Sequence, residues 1–390
     1  MRYNRTFNAC CMGFVTQAAV VNLTPVLFVP LREQFGFSYT MLGTLVLVNF
    51  LTQLIADVAC SAVVDRIGFR FFAVAGHAFA MAGLVLFAIV PFLPITPYPG
   101  FVAGTVLFSL GGGLLEVIVS PIVNALPTKE KSASMSLLHA FYCWGQVSVV
   151  LLTTLFIFVF GRAAWPYIML IWALLPLVNG LVFINCPLAE TIPEEKRSAA
   201  ITVLKSPVFF LLFMLIVFAG ASELTLSQWT SAYAEDVLRV PKVIGDISGM
   251  CFFAVMMGVG RTLNGIKGKA DYLSRFMLAG GLLTVACYIT VALTASPVLG
   301  LVACALCGLG VSLLWPGTLS LSVRAFPLAG IWMMAILAAG GDTGASVGPF
   351  LAGWLADHIG LRMSLLVSAV FPLGVVGCLL GLKKAGSPNT

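Results

Sequence analysis

Asn49, Gln53 and Asp57 recur every four residues in an otherwise apolar stretch, so on a helix an amide, a second amide and a carboxylate share one face. Glu116, Glu223 and Asp342 each stand alone in apolar surroundings, and His139 lies three residues before Tyr142, again on one helical face. A carboxyl group in a water-poor cavity can take up and release a proton, and neutralising it removes a charge that opposes closing of the cavity. Amides and hydroxyls can replace the water around a polar solute, and a flat aromatic face can pack against the C–H side of a sugar ring. Gln17, Asn22, Asn49, Gln53, Tyr142, Gln228, Trp229 and Trp315 are the candidates for solute contact. For proton or sodium binding the candidates are Glu116, His139, Glu223 and Asp342.

What must position these residues follows from composition. Of 390 residues, 60% are apolar and 9% charged, against about 25% charged in soluble domains. A soluble enzyme is excluded. Apolar runs that do not alternate with polar residues exclude a transmembrane β-barrel. Turn and charge punctuation predicts twelve membrane helices at about 8–31, 38–64, 70–93, 99–126, 132–160, 165–186, 207–233, 243–266, 273–294, 297–323, 330–356 and 361–382. The expected fold is therefore all-α, with residues 1–186 and 207–390 as two pseudo-symmetric six-helix bundles and 187–206 as a cytoplasmic linker. Pro121 and Pro316 are 195 residues apart, as are Gly145 and Gly340, which fits a duplicated half. At a 1.5 Å rise per residue, Glu116 lies about 15 Å and Asp342 about 18 Å from the inner ends of their helices.

Lys and Arg give the orientation. Sixteen fall at alternate helix ends, including Arg2, Arg66, Lys196, Arg261 and Lys383, whereas Arg32, Arg162, Arg239, Lys242 and Arg362 fall at the opposite ends. Both termini are thus expected in the cytoplasm, with the protein in the plasma (inner) membrane. The apolar run after Arg5 is too long for a signal peptide and reads as the first span. Scattered basic residues exclude a nucleic-acid partner. Ten cysteines lie mostly inside apolar helices, and Cys304 and Cys307 have no second ligand pair, so neither a metal site nor a cofactor is expected. The expected partners are a small-molecule substrate, a coupling ion and the lipid bilayer, with the chain acting as a monomer.

Val64-Asp65-Arg66-Ile67-Gly68-Phe69-Arg70 resembles the Asp-Arg-x-Gly-x-Arg loop signature of the major facilitator superfamily, with Ser61 where a Gly is usual. That resemblance implies a gating role for Asp65, Arg66, Gly68 and Arg70. Gly344-Ala345-Ser346-Val347-Gly348-Pro349, followed by Gly353, resembles the same superfamily's Gly-x-x-x-Gly-Pro hinge, whose small residues allow close helix contact and a bend. Finer likeness is to the fucose permease-like sugar symporters. Leu115-Glu116 to Ser120-Pro121 matches with Ser120 in place of Asn, Trp315-Pro316-Gly317-Thr318 to Leu321 resembles that family's aromatic-Pro-Thr run, and Gly220 to Glu223 with Gln228 and Trp229 resembles its Gly-x-Glu region. The first-helix Asp of the proton-coupled members is absent, leaving Gln17 and Asn22 there. The implied activity is secondary active transport of a sugar or similar polar solute by alternating access. The alternatives are an exporter of hydrophobic drugs and, from a different class, a non-transporting sensor or a membrane-embedded enzyme.

Overall fold

The computed structural model describes residues 3–127, 131–188, 203, 205–267, 273–326 and 330–385. Arg2, Lys129, Glu190, Glu194, Glu195, Lys196, Arg197 and Lys269, together with most of the 187–206 segment, lie outside the described residues, as does the side chain of Asp65. The described residues are almost entirely helical, and eleven helices are long and apolar enough to cross a membrane. A further helix, Gly330–Ile359, has the length for a twelfth crossing at 30 residues.

The chain divides into two compact units, one of residues 1–37 with 48–194 and the other of residues 38–47 with 195–390. In the first, α1 (Asn4–Val26), α2 (Phe28–Phe35), α3 (Tyr39–Ile67), α4 (Phe69–Ile89), α5 (Pro97–Ala125), α6 (Lys131–Phe160) and α7 (Trp165–Asn185) follow in order, with the start of α3 assigned to the second unit. The first predicted span is not one helix: it breaks at Leu27, two residues after Pro25, and restarts as α2. Gly68, at φ +100°, makes the turn between α3 and α4. A methyl group at Gly83 or Gly111 of α4 and α5 would strike the other helix's backbone, so bare glycine sets their closest approach.

Polar residues tie this unit together. His77 directs Nδ1 to the Ala73 carbonyl at 2.7 Å, and Asn179 donates from Nδ2 to His77 Nε2 at 2.8 Å and to the Ala9 carbonyl at 2.9 Å. Only the neutral ring protonated at Nδ1 satisfies all three contacts. Arg70 donates to the carbonyls of Phe183 and Cys186, both at 3.0 Å, and also to that of Ile184. It thereby satisfies acceptors that the end of α7 leaves open.

The second unit holds α8 (Pro207–Ala232), a π turn Tyr233–Val237, α9 (Lys242–Gly245), a second π turn Asp246–Cys251, α10 (Phe252–Lys267), α11 (Leu273–Leu293), α12 (Pro297–Val311), α13 (Leu314–Ala325), α14 (Gly330–Ile359), α15 (Leu361–Val367) and α16 (Val370–Lys384). Gly341, Gly344 and Gly348 of α14 face Gly220, Val217 and Ala221 of α8 so closely that no side chain fits between the helices. The Gly-x-x-x-Gly-Pro run is thus a close-contact seam, and α14 continues through Pro349. The tenth predicted span is interrupted after Val311 and resumes at Leu314. All ten cysteines are free and buried.

Candidate functional site

In the first unit a polar network links α1, α3 and α5. Gln53 donates to Asn49 Oδ1 at 2.7 Å, Ser109 donates to the same oxygen at 2.7 Å, and Asn49 donates to the Val20 carbonyl at 3.1 Å. Glycine makes this possible: a methyl group at Gly112 would press on Val20 and Gln53, and one at Gly113 on Gln53 and Asp57. Asn49 and Gln53 are buried, so in this arrangement they join helices and do not face an open space. Asn22 is buried too and donates to Ala18 of its own helix.

The expected ion-binding carboxylate lies beside this network. Gln17 donates from Nε2 to Glu116 Oε2 at 2.5 Å. The other amide atom, Gln17 Oε1, is buried with no hydrogen-bond partner among the described residues. Glu116 itself is partly exposed, as is Tyr142, and His139 is exposed with its ring 5.2 Å from that of Phe14. Gly145 lets α6 close on Val15 and Ala18 of α1. Gln17, Glu116, His139 and Tyr142 therefore belong to three adjoining helices of one unit. An apolar crevice of about 620 Å³ lined by Met12, Phe141, Trp144 and Trp172 lies nearby, and none of the predicted site residues lines it.

In the second unit Glu223 of α8 pairs with Arg261 of α10 at 3.5 Å. Arg261 also donates from Nε to the Ser312 carbonyl at 3.2 Å. Trp315 lies against Gly341, the residue before Asp342, and remains partly exposed, while Asp342 is buried. Gln228 and Trp229 are fully buried, and Trp229 donates to the Pro349 carbonyl at 2.9 Å. Arg66 is exposed, and Arg70 acts as a helix cap inside the first unit.

Besides the Glu223–Arg261 pair, sequence reasoning missed two arrangements. Lys242, taken as a surface charge setting topology, is buried: its Nζ lies 2.8 Å from Asp246 Oδ2 and donates to Ser231 Oγ at 3.0 Å. The i, i+4 spacing of Lys242 and Asp246 was the available signal. The second is a set of contacts at Tyr39, whose hydroxyl donates to Asp236 at 2.7 Å and whose ring meets Trp229 at 5.7 Å. Nothing in the spacing joins positions so far apart.

Eleven long apolar helices, with buried amides joined to one another and to a neighbouring helix, define an integral membrane protein with many spans. The chain belongs to the Major Facilitator Superfamily, whose family profile matches residues 9–330, and is accordingly a transporter and not an enzyme. A comparison with curated protein sequences gives no match. Solved structures do match over the whole chain. A bacterial homolog to the human lysosomal transporter Spinster, in an inward-facing and occupied conformation, superposes with a TM-score of 0.81 at 13% identity, covering 98% of this chain and 97% of that one. A D-xylose-proton symporter gives 0.80 at 13% identity, with 98% of each chain covered. The E. coli fucose:proton symporter FucP gives 0.66 at 15% identity, covering 98% of this chain and 99% of that one. At these identities the likeness establishes the fold.

Proposed function

We propose that this transporter carries a sugar or similar small polar solute together with protons, by alternating access of two six-helix halves, residues 1–186 and 207–390. The observation that carries this reading is the Gln17–Glu116 pair. Glu116 is partnered by a neutral amide, so it can gain or lose a proton without stranding a buried counter-charge. Glu223 faces Arg261, and neutralising it leaves a cation uncompensated, which favours Glu116 as the coupling residue. Gln17 Oε1 offers an acceptor for a solute hydroxyl one side chain away from Glu116. Tyr142 and Trp315, both partly exposed, supply aromatic faces in the two units. Two of the three structural relatives described above are sugar–proton symporters by name, which agrees with this choice.

The same reading puts the protein in the inner membrane as a monomer with both termini in the cytoplasm. The test is uptake into proteoliposomes of a panel of labelled monosaccharides, with imposed proton or sodium gradients. Accumulation of one sugar driven by the proton gradient supports the proposal. Transport that ignores both gradients, or that moves apolar dyes and no sugar, overturns it.

A further inference from the structure

Pro316 has no N–H, so the carbonyl four residues earlier, that of Ser312, loses its intrahelical donor. Here α12 ends at Val311 and α13 begins at Leu314, and the replacement donor comes from another helix: Arg261 Nε reaches Ser312 O at 3.2 Å. The approach is close, because a methyl group at the neighbouring Gly260 would overlap Ser312. Through Nη2 the same guanidinium holds Glu223 Oε2 at 3.5 Å. One planar cation thus connects α8, α10 and the interruption between α12 and α13. A planar forked donor serves a carbonyl and a carboxylate at once in fixed directions, which a lysine ammonium does less well.

We propose that Arg261 is a positioning residue of the transport cycle: it ties the Pro316 interruption to Glu223, so that the charge on Glu223 sets how firmly the broken helix is held. The assignment rests on the family and on this geometry, independently of the sugar and proton reading. Among the elements around Glu223, α10 contributes Arg261, α12 contributes the Cys307 thiol, and α14 carries Asp342 next to the Gly341 contact with Gly220. A cation held between two acceptors responds to loss of either one, whereas a purely packing residue responds to volume.

Amide hydrogen exchange of residues 309–318 in the full-length protein in lipid nanodiscs tests this without knowledge of the substrate. Glu223→Gln, nearly isosteric, should speed exchange there by about tenfold, and Glu223→Asp should restore it to within about threefold of wild type. Arg261→Gln should act at least as strongly as Glu223→Gln. Pro316→Ala gives Ser312 its helical partner back, so in that background both Arg261→Gln and Glu223→Gln should change exchange by less than about twofold. Equal effects in the wild-type and Pro316→Ala backgrounds would overturn the proposal, as would slow exchange in Glu223→Gln. Should Arg261→Gln fail to fold, the Glu223→Gln and Pro316→Ala pair decides the matter alone.

Discussion

Asp357, near the end of α14, caps the start of α3: its two carboxylate oxygens accept from the Tyr39 N–H at 2.8 Å and the Thr40 N–H at 2.7 Å. The first N–H groups of a helix lack internal partners and carry the positive end of its dipole, so a carboxylate there answers both needs. The Tyr39 hydroxyl and ring add contacts to Asp236 and Trp229, which explains why residues 38–47 group with the second unit although the rest of α3 does not. Asp357→Ala should cost about 1 kcal/mol locally. Amide exchange at Tyr39 to Leu42 should rise accordingly; unchanged exchange there would show that the cap contributes nothing.

The same contact has a pH signature. Burial alone would raise the Asp357 carboxyl, but the Thr40 hydroxyl, the N–H groups of Thr40 and Tyr39 and the Ser38 hydroxyl together bring it below its ordinary value of 3.8. A carboxylate lowered in this way stabilises fully above its ordinary value and loses the contribution as pH falls through the lowered one. After correction for intrinsic exchange, protection at Tyr39 and Thr40 should be flat from about pH 8 to pH 5 and decline below about pH 4. In Asp357→Ala the decline should vanish.

Breaking the buried Lys242–Asp246 pair should be far worse than deleting it. Lys242→Met or Asp246→Asn alone strands one polar partner in the interior, with a loss of about 3–5 kcal/mol, while Lys242→Met with Asp246→Leu should recover most of it. Thermal unfolding in detergent reads the difference. A double variant as unstable as the sum of the singles would mean that the pair has a role beyond mutual neutralisation.

For coupling, Glu116→Gln imitates the protonated carboxyl and keeps an acceptor for Gln17. With the sugar identified by the proteoliposome panel, gradient-driven accumulation should disappear while exchange at equal pH continues. Asp342→Asn, a change at a buried residue, should cost less. Wild-type accumulation by Glu116→Gln would place coupling at another residue.

Two glycines give opposite expectations for the same substitution. Gly344→Ala drives a methyl group into the Val217 carbonyl of α8 and should destabilise by at least about 2 kcal/mol. Gly377→Ala, on α16 with open space around it, should stabilise by about 0.5–1 kcal/mol through helix propensity. Similar melting temperatures for both would discredit the close α8–α14 seam.

Much of the helical architecture was legible in the sequence, because the bilayer demands long apolar runs and the chain can satisfy its backbone there only by helix formation. The breaks were less legible. Pro25 and Pro316 interrupt their spans, yet Pro121 and Pro349 sit inside continuous helices, so the residue type alone did not tell which carbonyl finds another donor. Within the candidate site, the shared face of Asn49 and Gln53 followed from a local spacing, and their burial is what two adjacent amides on a lipid-poor face achieve by bonding each other. Glu116 was visible for its rarity, but its contact with Gln17 spans 99 residues, a distance over which helical periodicity carries no information. The Glu223–Arg261 pair escaped for the same reason.

The ten free, buried cysteines bear on how this protein can be studied. Water-soluble maleimides react with thiols they can reach, so the native chain should give little background in its folded state. A single thiol introduced at an exposed position between two helices, such as Ala295, becomes the dominant reactive one without removal of the native ten. Distance probes and fluorophores can thus be attached to the intact wild-type interior, and a sudden gain of native-thiol labelling becomes a direct report of unfolding.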